Sequence, residues 1–146
     1  MRGLLIALLL VTTAQAQPLQ LSDSARIALV TVLPGDALYA AFGHSALRVY
    51  DPVQNIDWLF NYGTFDFNDP WFLPRFVYGE LNYFLSVSDY VRSVQFYREG
   101  EGRPIIAQWL HLTPAQRDTL FAFVLWNAQP ENRTSRSDFR FDTCSS

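Results

Sequence analysis

From Arg26 onward, short β-branched apolar runs alternate with polar breaks marked by proline or glycine, and one long amphipathic stretch follows near the end. The run from Arg26 to Leu33, RIALVTVL, ends at Pro34-Gly35-Asp36, which predicts a strand. His44 to Tyr50 and Ile56 to Tyr62 read as two further strands around Asp51-Pro52-Val53-Gln54, where Pro52 suits the second position of a type I turn. A hairpin closed by that turn sets Leu47 opposite Trp58, Val49 opposite Ile56, Arg48 opposite Asp57 and His44 opposite Asn61. Apolar then meets apolar and opposite charges meet, whereas a one-residue slip sets Arg48 against an apolar partner.

Farther along, Asp69 to Tyr78 predicts a short proline-punctuated helix or ordered loop, Leu81 to Val87 a strand, Asp89 to Tyr97 a helix capped by Ser88, and Pro104 to Leu112 another strand. Thr113-Pro114-Ala115-Gln116 opens the clearest helix. Thr113 serves as cap, Pro114 takes the first helical position and Gln116 completes a capping box. Its apolar positions Leu120, Phe121, Val124 and Leu125 form one stripe, and Pro130 ends it. A polar loop from Glu131 to Ser137 is expected to lead into a strand at Phe139 to Phe141, just before Cys144. The chain has no internal repeats, and the pattern predicts an α+β domain, a small antiparallel sheet with packed helices.

The amino end is different. Met1-Arg2, the apolar run Gly3 to Val11 and the small-x-small triplet Ala14-Gln15-Ala16 form a cleavable export signal, so residues 1–16 are expected to leave and residues 17–146 to form one domain. The product is expected in the periplasm, soluble or peripheral to a membrane. A formal charge of −3 with no basic stripe excludes the electrostatic footprint of nucleic-acid binding. Aromatic residues reach 16 %, concentrated between Trp58 and Tyr97, and are expected chiefly to thicken the core. An excess of this kind also suits a groove for acyl chains.

The chain has one cysteine, Cys144, and two histidines, His44 and His111. A lone exported thiol cannot form an internal disulfide or a multi-cysteine metal site, and two histidines without a ligand spacing argue against zinc. Cys144 with His44 has instead the composition of a Cys/His nucleophilic site, in which a base removes the thiol proton. A side-chain amide beside the imidazole, as Asn61 would be across the hairpin, can fix the ring's tautomer and orientation. Each residue also has a plainer reading: Cys144 an inert or interchain-paired thiol, His44 a satisfied histidine at a strand end, Asn61 the end of a strand before Gly63. His111, between Leu110 and Leu112, reads as structural, and Gly43 and Gly63 read as turn glycines.

Three blocks carry a resemblance: Pro34-Gly35-Asp36 through Phe42-Gly43-His44-Ser45-Ala46-Leu47-Arg48-Val49, Asn61-Tyr62-Gly63-Thr64-Phe65-Asp66-Phe67, and Pro130-Glu131-Asn132-Arg133 through Asp142-Thr143-Cys144. In order and spacing they resemble the N-terminal periplasmic domain of Lnb-type lipoprotein N-acyltransferases, a group similar to circularly permuted papain-like (NlpC-type) enzymes. The resemblance implies a permuted papain-like fold with Cys144 as nucleophile, His44 as base and Asn61 as orienting residue. It implies acyl transfer from a membrane phospholipid through a thioester to the terminal amine of a lipoprotein, with no cofactor. Only Ser145 and Ser146 follow Cys144, too few for the helix that supports a papain-type thiol. The domain is therefore expected to be truncated at its C-terminus, with a missing region or a membrane-embedded partner completing it, and to be weakly active alone. The alternatives are a non-catalytic accessory module that binds lipid or peptide, and cysteine-dependent hydrolysis with water as acceptor.

Overall fold

The computed structural model describes residues 19–37, 40–66, 69–78 and 80–138. Strands β1 (Arg26–Val32), β2 (His44–Asp51), β3 (Ile56–Thr64), β4 (Glu80–Asp89), β5 (Ile105–Trp109) and β6 (Thr134–Asp138) form one sheet in the order β5-β1-β2-β3-β4-β6. Each neighbouring pair is antiparallel. Helices α1 (Phe72–Tyr78), α2 (Tyr90–Gln95) and α3 (Pro114–Asn127) complete the α+β architecture, and a π-type turn, Phe96–Gly100, extends α2.

Both faces of the sheet are covered, because strand residues alternate between two cores. On one face Ile27, Val49, Ile56, Phe60 and Leu85 pack against Phe121 and Val124 of α3. On the other, Val30, Ala46 and Leu59 are buried with Tyr90 of α2 and Ile105 against them. The α3 stripe is thus the expected one, and both halves of its capping box form: Thr113 Oγ1 accepts from the Gln116 N–H while Gln116 Oε1 accepts from the Thr113 N–H.

The β2–β3 hairpin differs from the expected one in register. Ala46 pairs with Asn61, Leu47 with Phe60, Arg48 with Leu59, Val49 with Trp58, Tyr50 with Asp57 and Asp51 with Ile56. The pairing is displaced by two residues, because the tight turn at Asp51 to Gln54 is followed by Asn55 in the left-handed region at φ 55°. Residues 52–55 all belong to the loop, and the strands close at Asp51 and Ile56. A shift of two preserves the face of every side chain. Arg48 and Asp57 therefore meet as diagonal neighbours, in a two-pronged ion pair with Nε to Oδ1 at 2.7 Å and Nη2 to Oδ2 at 2.8 Å. The Arg48 guanidinium also lies 3.6 Å from the centre of the Tyr90 ring.

Other boundaries move too. Asp89, not Ser88, caps α2: its side chain accepts from the Arg92 N–H. The strand at β5 is shorter than expected. The polar segment after α3 is loop only as far as Arg133; from Thr134 it is strand β6, whose backbone pairs with the outer edge of β4 from Glu80↔Asp138 to Phe84↔Thr134. An edge strand needs no apolar alternation, which is why its pattern carries no strand signal. The expected strand at Phe139 to Phe141 lies outside the described residues.

The aromatic segment contributes less core than expected. Phe60 and Tyr83 are buried, but Tyr62, Trp71, Tyr78 and Phe96 are exposed, Tyr78 on α1 and Phe96 on the π-type turn.

Gly43 leads the chain into β2 with φ 75°, and a Cβ there would lie 2.9 Å from the Val32 carbonyl oxygen. Only glycine fits both constraints. Gly43→Ala is expected to cost about 1–3 kcal/mol and to disturb the first residue of β2, His44, which thermal unfolding together with the His44 NMR resonances will report.

Candidate active site

His44 and Asn61 lie on the sheet face covered by α2, on adjacent strands and diagonal to one another, because Ala46 is the residue directly opposite Asn61. Their side chains meet: His44 Nε2 and Asn61 Oδ1 are 3.1 Å apart. The expected contact is therefore present, although the expected direct pairing is not. Asn61 is 6 % exposed, so its amide needs internal partners. Its Nδ2 donates to Ser88 Oγ at 2.9 Å and to the Leu59 carbonyl at 3.3 Å. With both amide protons committed, Oδ1 faces the imidazole and can only accept. His44 accordingly carries its proton on Nε2, and Nδ1 is left as the basic nitrogen of the neutral ring.

The surroundings keep that ring neutral. Burial lowers the His44 pKa below the usual imidazole value; the Asn61 hydrogen bond opposes this, the Arg103 guanidinium reinforces it, and the Glu101 carboxylate opposes it. The ring of Tyr97 lies 6.2 Å from that of His44 and 5.5 Å from the Arg103 guanidinium carbon, so one aromatic ring is flanked by both. Arg103 is 5 % exposed. Its Nε donates to the Leu33 carbonyl and its Nη1 to Glu101 Oε2, each at 2.8 Å, and its side chain lies against Gly35. Its Nη2 is buried without a hydrogen-bond partner among the described residues. Replacing Arg103 by leucine removes a positive charge near the imidazole, so the His44 pKa is expected to rise toward about 6.5; an NMR titration of the ring will measure it.

Sequence reasoning missed Arg103, Glu101 and Tyr97 because their segment reads only as a helix end and a turn. The partners of Arg103 come from a distant stretch, Leu33 and Gly35. A signal did exist in the block Pro34-Gly35-Asp36, whose glycine admits the arginine side chain. His111 is exposed between β5 and α3. Gly63 has φ 81° where the β3–β4 register shifts between Asn61 and Thr64, which fits its expected backbone role. Asp57 is engaged by Arg48. Among the described residues no cluster of three His, Cys, Asp or Glu side chains could hold a metal. Cys144, the expected nucleophile, lies outside the described residues, as do the export-signal residues 1–16.

A family comparison matches residues 14–146 to the Lnb N-terminal periplasmic domain. The chain belongs to that family. The match spans every strand and helix described above, so the His44–Asn61 pair is part of an Lnb N-terminal periplasmic domain. Comparison with curated proteins finds no match, nor does comparison with solved structures. Among the described residues, no helix of this Lnb domain is long and apolar enough to cross a membrane.

Proposed function

We propose that this Lnb domain is the cysteine-dependent part of a lipoprotein acyl-transfer system, with Cys144 as nucleophile, His44 as base, Asn61 as the residue that orients the base, and a permuted papain-like arrangement in which histidine precedes cysteine. The observation that carries the reading is the Nε2-to-Asn61 bond: it leaves Nδ1 of a half-buried, neutral imidazole available as a base. Membership of the Lnb family supports the substrate class.

In the first half-reaction His44 Nδ1 takes the Cys144 thiol proton, and the thiolate attacks an ester carbonyl of a membrane phospholipid. The ester C–O bond breaks, the leaving alkoxide receives the proton from the imidazolium, and a thioester remains on Cys144. In the second, a lipoprotein's terminal amine attacks the thioester. The C–S bond breaks, the amine loses a proton through His44, and the thiolate is regenerated. No redox partner enters, and the acyl group is conserved.

Incubation with phospholipid vesicles followed by mass spectrometry tests the proposal. The expected result is a hydroxylamine-labile acyl adduct on Cys144, however slowly it forms, that is lost in Cys144→Ala and discharged by an amine-bearing diacylglyceryl peptide. Saturable lipid or acyl-peptide binding with no adduct would favour a non-catalytic accessory module. Discharge to water in preference to the amine would favour hydrolysis.

A further inference from the structure

The Asn61 amide does not end the network that holds His44. Ser88 Oγ, which accepts from Asn61 Nδ2, lies 2.8 Å from Ser93 Oγ on α2, and Ser93 Oγ donates to the Asp89 carbonyl at 2.8 Å. A carbonyl oxygen can only accept, and a hydroxyl has a single proton to give. Ser93 spends its proton on Asp89, so Ser88 must be the donor to Ser93. Ser88 then has no proton left and presents a lone pair to Asn61. That lone pair requires an N–H from Asn61, which turns Oδ1 toward His44, and Oδ1 requires the imidazole proton on Nε2.

We propose that Ser88, Ser93 and the Asp89 carbonyl act as positioning groups for His44, forming a one-way hydrogen-bond chain that, together with the Leu59 carbonyl that also accepts from Asn61 Nδ2, excludes the flipped Asn61 amide and selects the tautomer with Nδ1 unprotonated. A flipped amide sets Oδ1 against the Ser88 lone pair and offers an N–H to the ring, which suits only the Nδ1–H tautomer and abolishes the base. The chain begins at a fixed point. Asp89 is the N-cap of α2, its side chain holds the Arg92 N–H at 2.9 Å, and its backbone pairs with Trp58 in β3. A helix start on one strand thereby sets the protonation site of a histidine two strands away.

The inference deepens the base role assigned to His44 above, and its test does not depend on acyl transfer. In a His111→Gln background only one imidazole remains, and long-range proton–nitrogen NMR of ¹⁵N-labelled protein, recorded above the His44 pKa, gives the tautomer ratio directly. The expected parent spectrum is that of the Nε2–H form. Ser88→Ala removes the acceptor, and Ser93→Ala frees the Ser88 proton to point either way. Each is expected to raise the Nδ1–H fraction about fivefold or more, the change produced by losing one ordinary hydrogen bond. Ser88→Thr keeps the hydroxyl and should restore the parent ratio. Should Ser88→Ala fail to fold, Ser93→Ala, with its residue on the helix, still decides. Folded alanine variants with the parent's tautomer ratio would overturn the proposal, as would a parent that already populates both forms. An unchanged acyl-transfer result beside a shifted ratio separates the chain from the catalytic reading.

Discussion

Removal of the imidazole in His44→Ala is expected to slow thioacyl formation on Cys144 by about 10²–10⁴-fold, the usual contribution of a positioned base. The expectation rests on two observations made at different levels. Burial lowers the His44 pKa, so at neutral pH the ring is unprotonated and able to accept. The Asn61 bond fixes which nitrogen accepts. Asn61→Ala removes the orientation but leaves the base, so its loss should be the smaller of the two. The pH dependence has a definite sign: activity should be retained as pH falls toward about 6.5 and decline only below it, because protonation of His44 occurs below the ordinary value. The same shift acts on stability. A histidine whose folded pKa is depressed contributes stability above its unfolded value of about 6.5 and loses it as pH falls through the folded value.

Asp51→Ala is expected to destabilise the fold by about 3 kcal/mol or more, the largest single effect on stability foreseen outside the apolar cores. Asp51 is wholly buried at the end of β2. Its Oδ2 accepts from the Ser22 N–H at 2.6 Å, and its Oδ1 from the Ser22 hydroxyl at 2.7 Å, the Val53 N–H at 3.0 Å and the Gln54 N–H at 3.2 Å. One carboxylate thus closes the β2–β3 loop and ties the segment before β1 to it. Burial by itself would raise the Asp51 pKa; the hydrogen bonds from Ser22, Gln54 and Val53 outweigh it and hold the group below the ordinary carboxylate value. Its stabilisation is therefore complete above pH about 4 and is lost as pH falls through the folded pKa. Denaturant unfolding at pH 7 and in acid should find a large gap between parent and Asp51→Ala at neutral pH that narrows on acidification. Equal stability of the two at pH 7 would contradict this account of the turn.

Asp51 also marks where legibility in the sequence ended. Alternation along β1, β2 and β3, the capping box of α3 and the stripe through Phe121 and Val124 were readable because local spacing determines them. The face shared by His44 and Asn61 was readable for the same reason: period-two alternation survives a shift of two residues. The shift itself was not, since alternation is blind to it, and what set it was Asn55 in the left-handed region and a carboxylate bonded to a serine from before β1. Strand β6 was hidden because an edge strand of polar residues looks like a loop. Arg103 escaped notice because burial of a guanidinium depends on a carbonyl, Leu33, and a glycine, Gly35, that are remote in sequence. The Ser88–Ser93 extension needed α2 packed beside β4 before two unremarkable serines became partners of an imidazole.

Alkylation of Cys144 by iodoacetamide across pH, compared between the parent chain and His44→Ala, shows whether Nδ1 of His44 serves as the base for this thiol. An unassisted cysteine reacts as its thiolate forms near pH 8.5, so at neutral pH it is slow. The parent is expected to be alkylated at least about tenfold faster than His44→Ala at pH 7, with a rate that falls where His44 protonates and a variant whose profile reverts to that of an ordinary thiol. Superimposable profiles for the two proteins would contradict it.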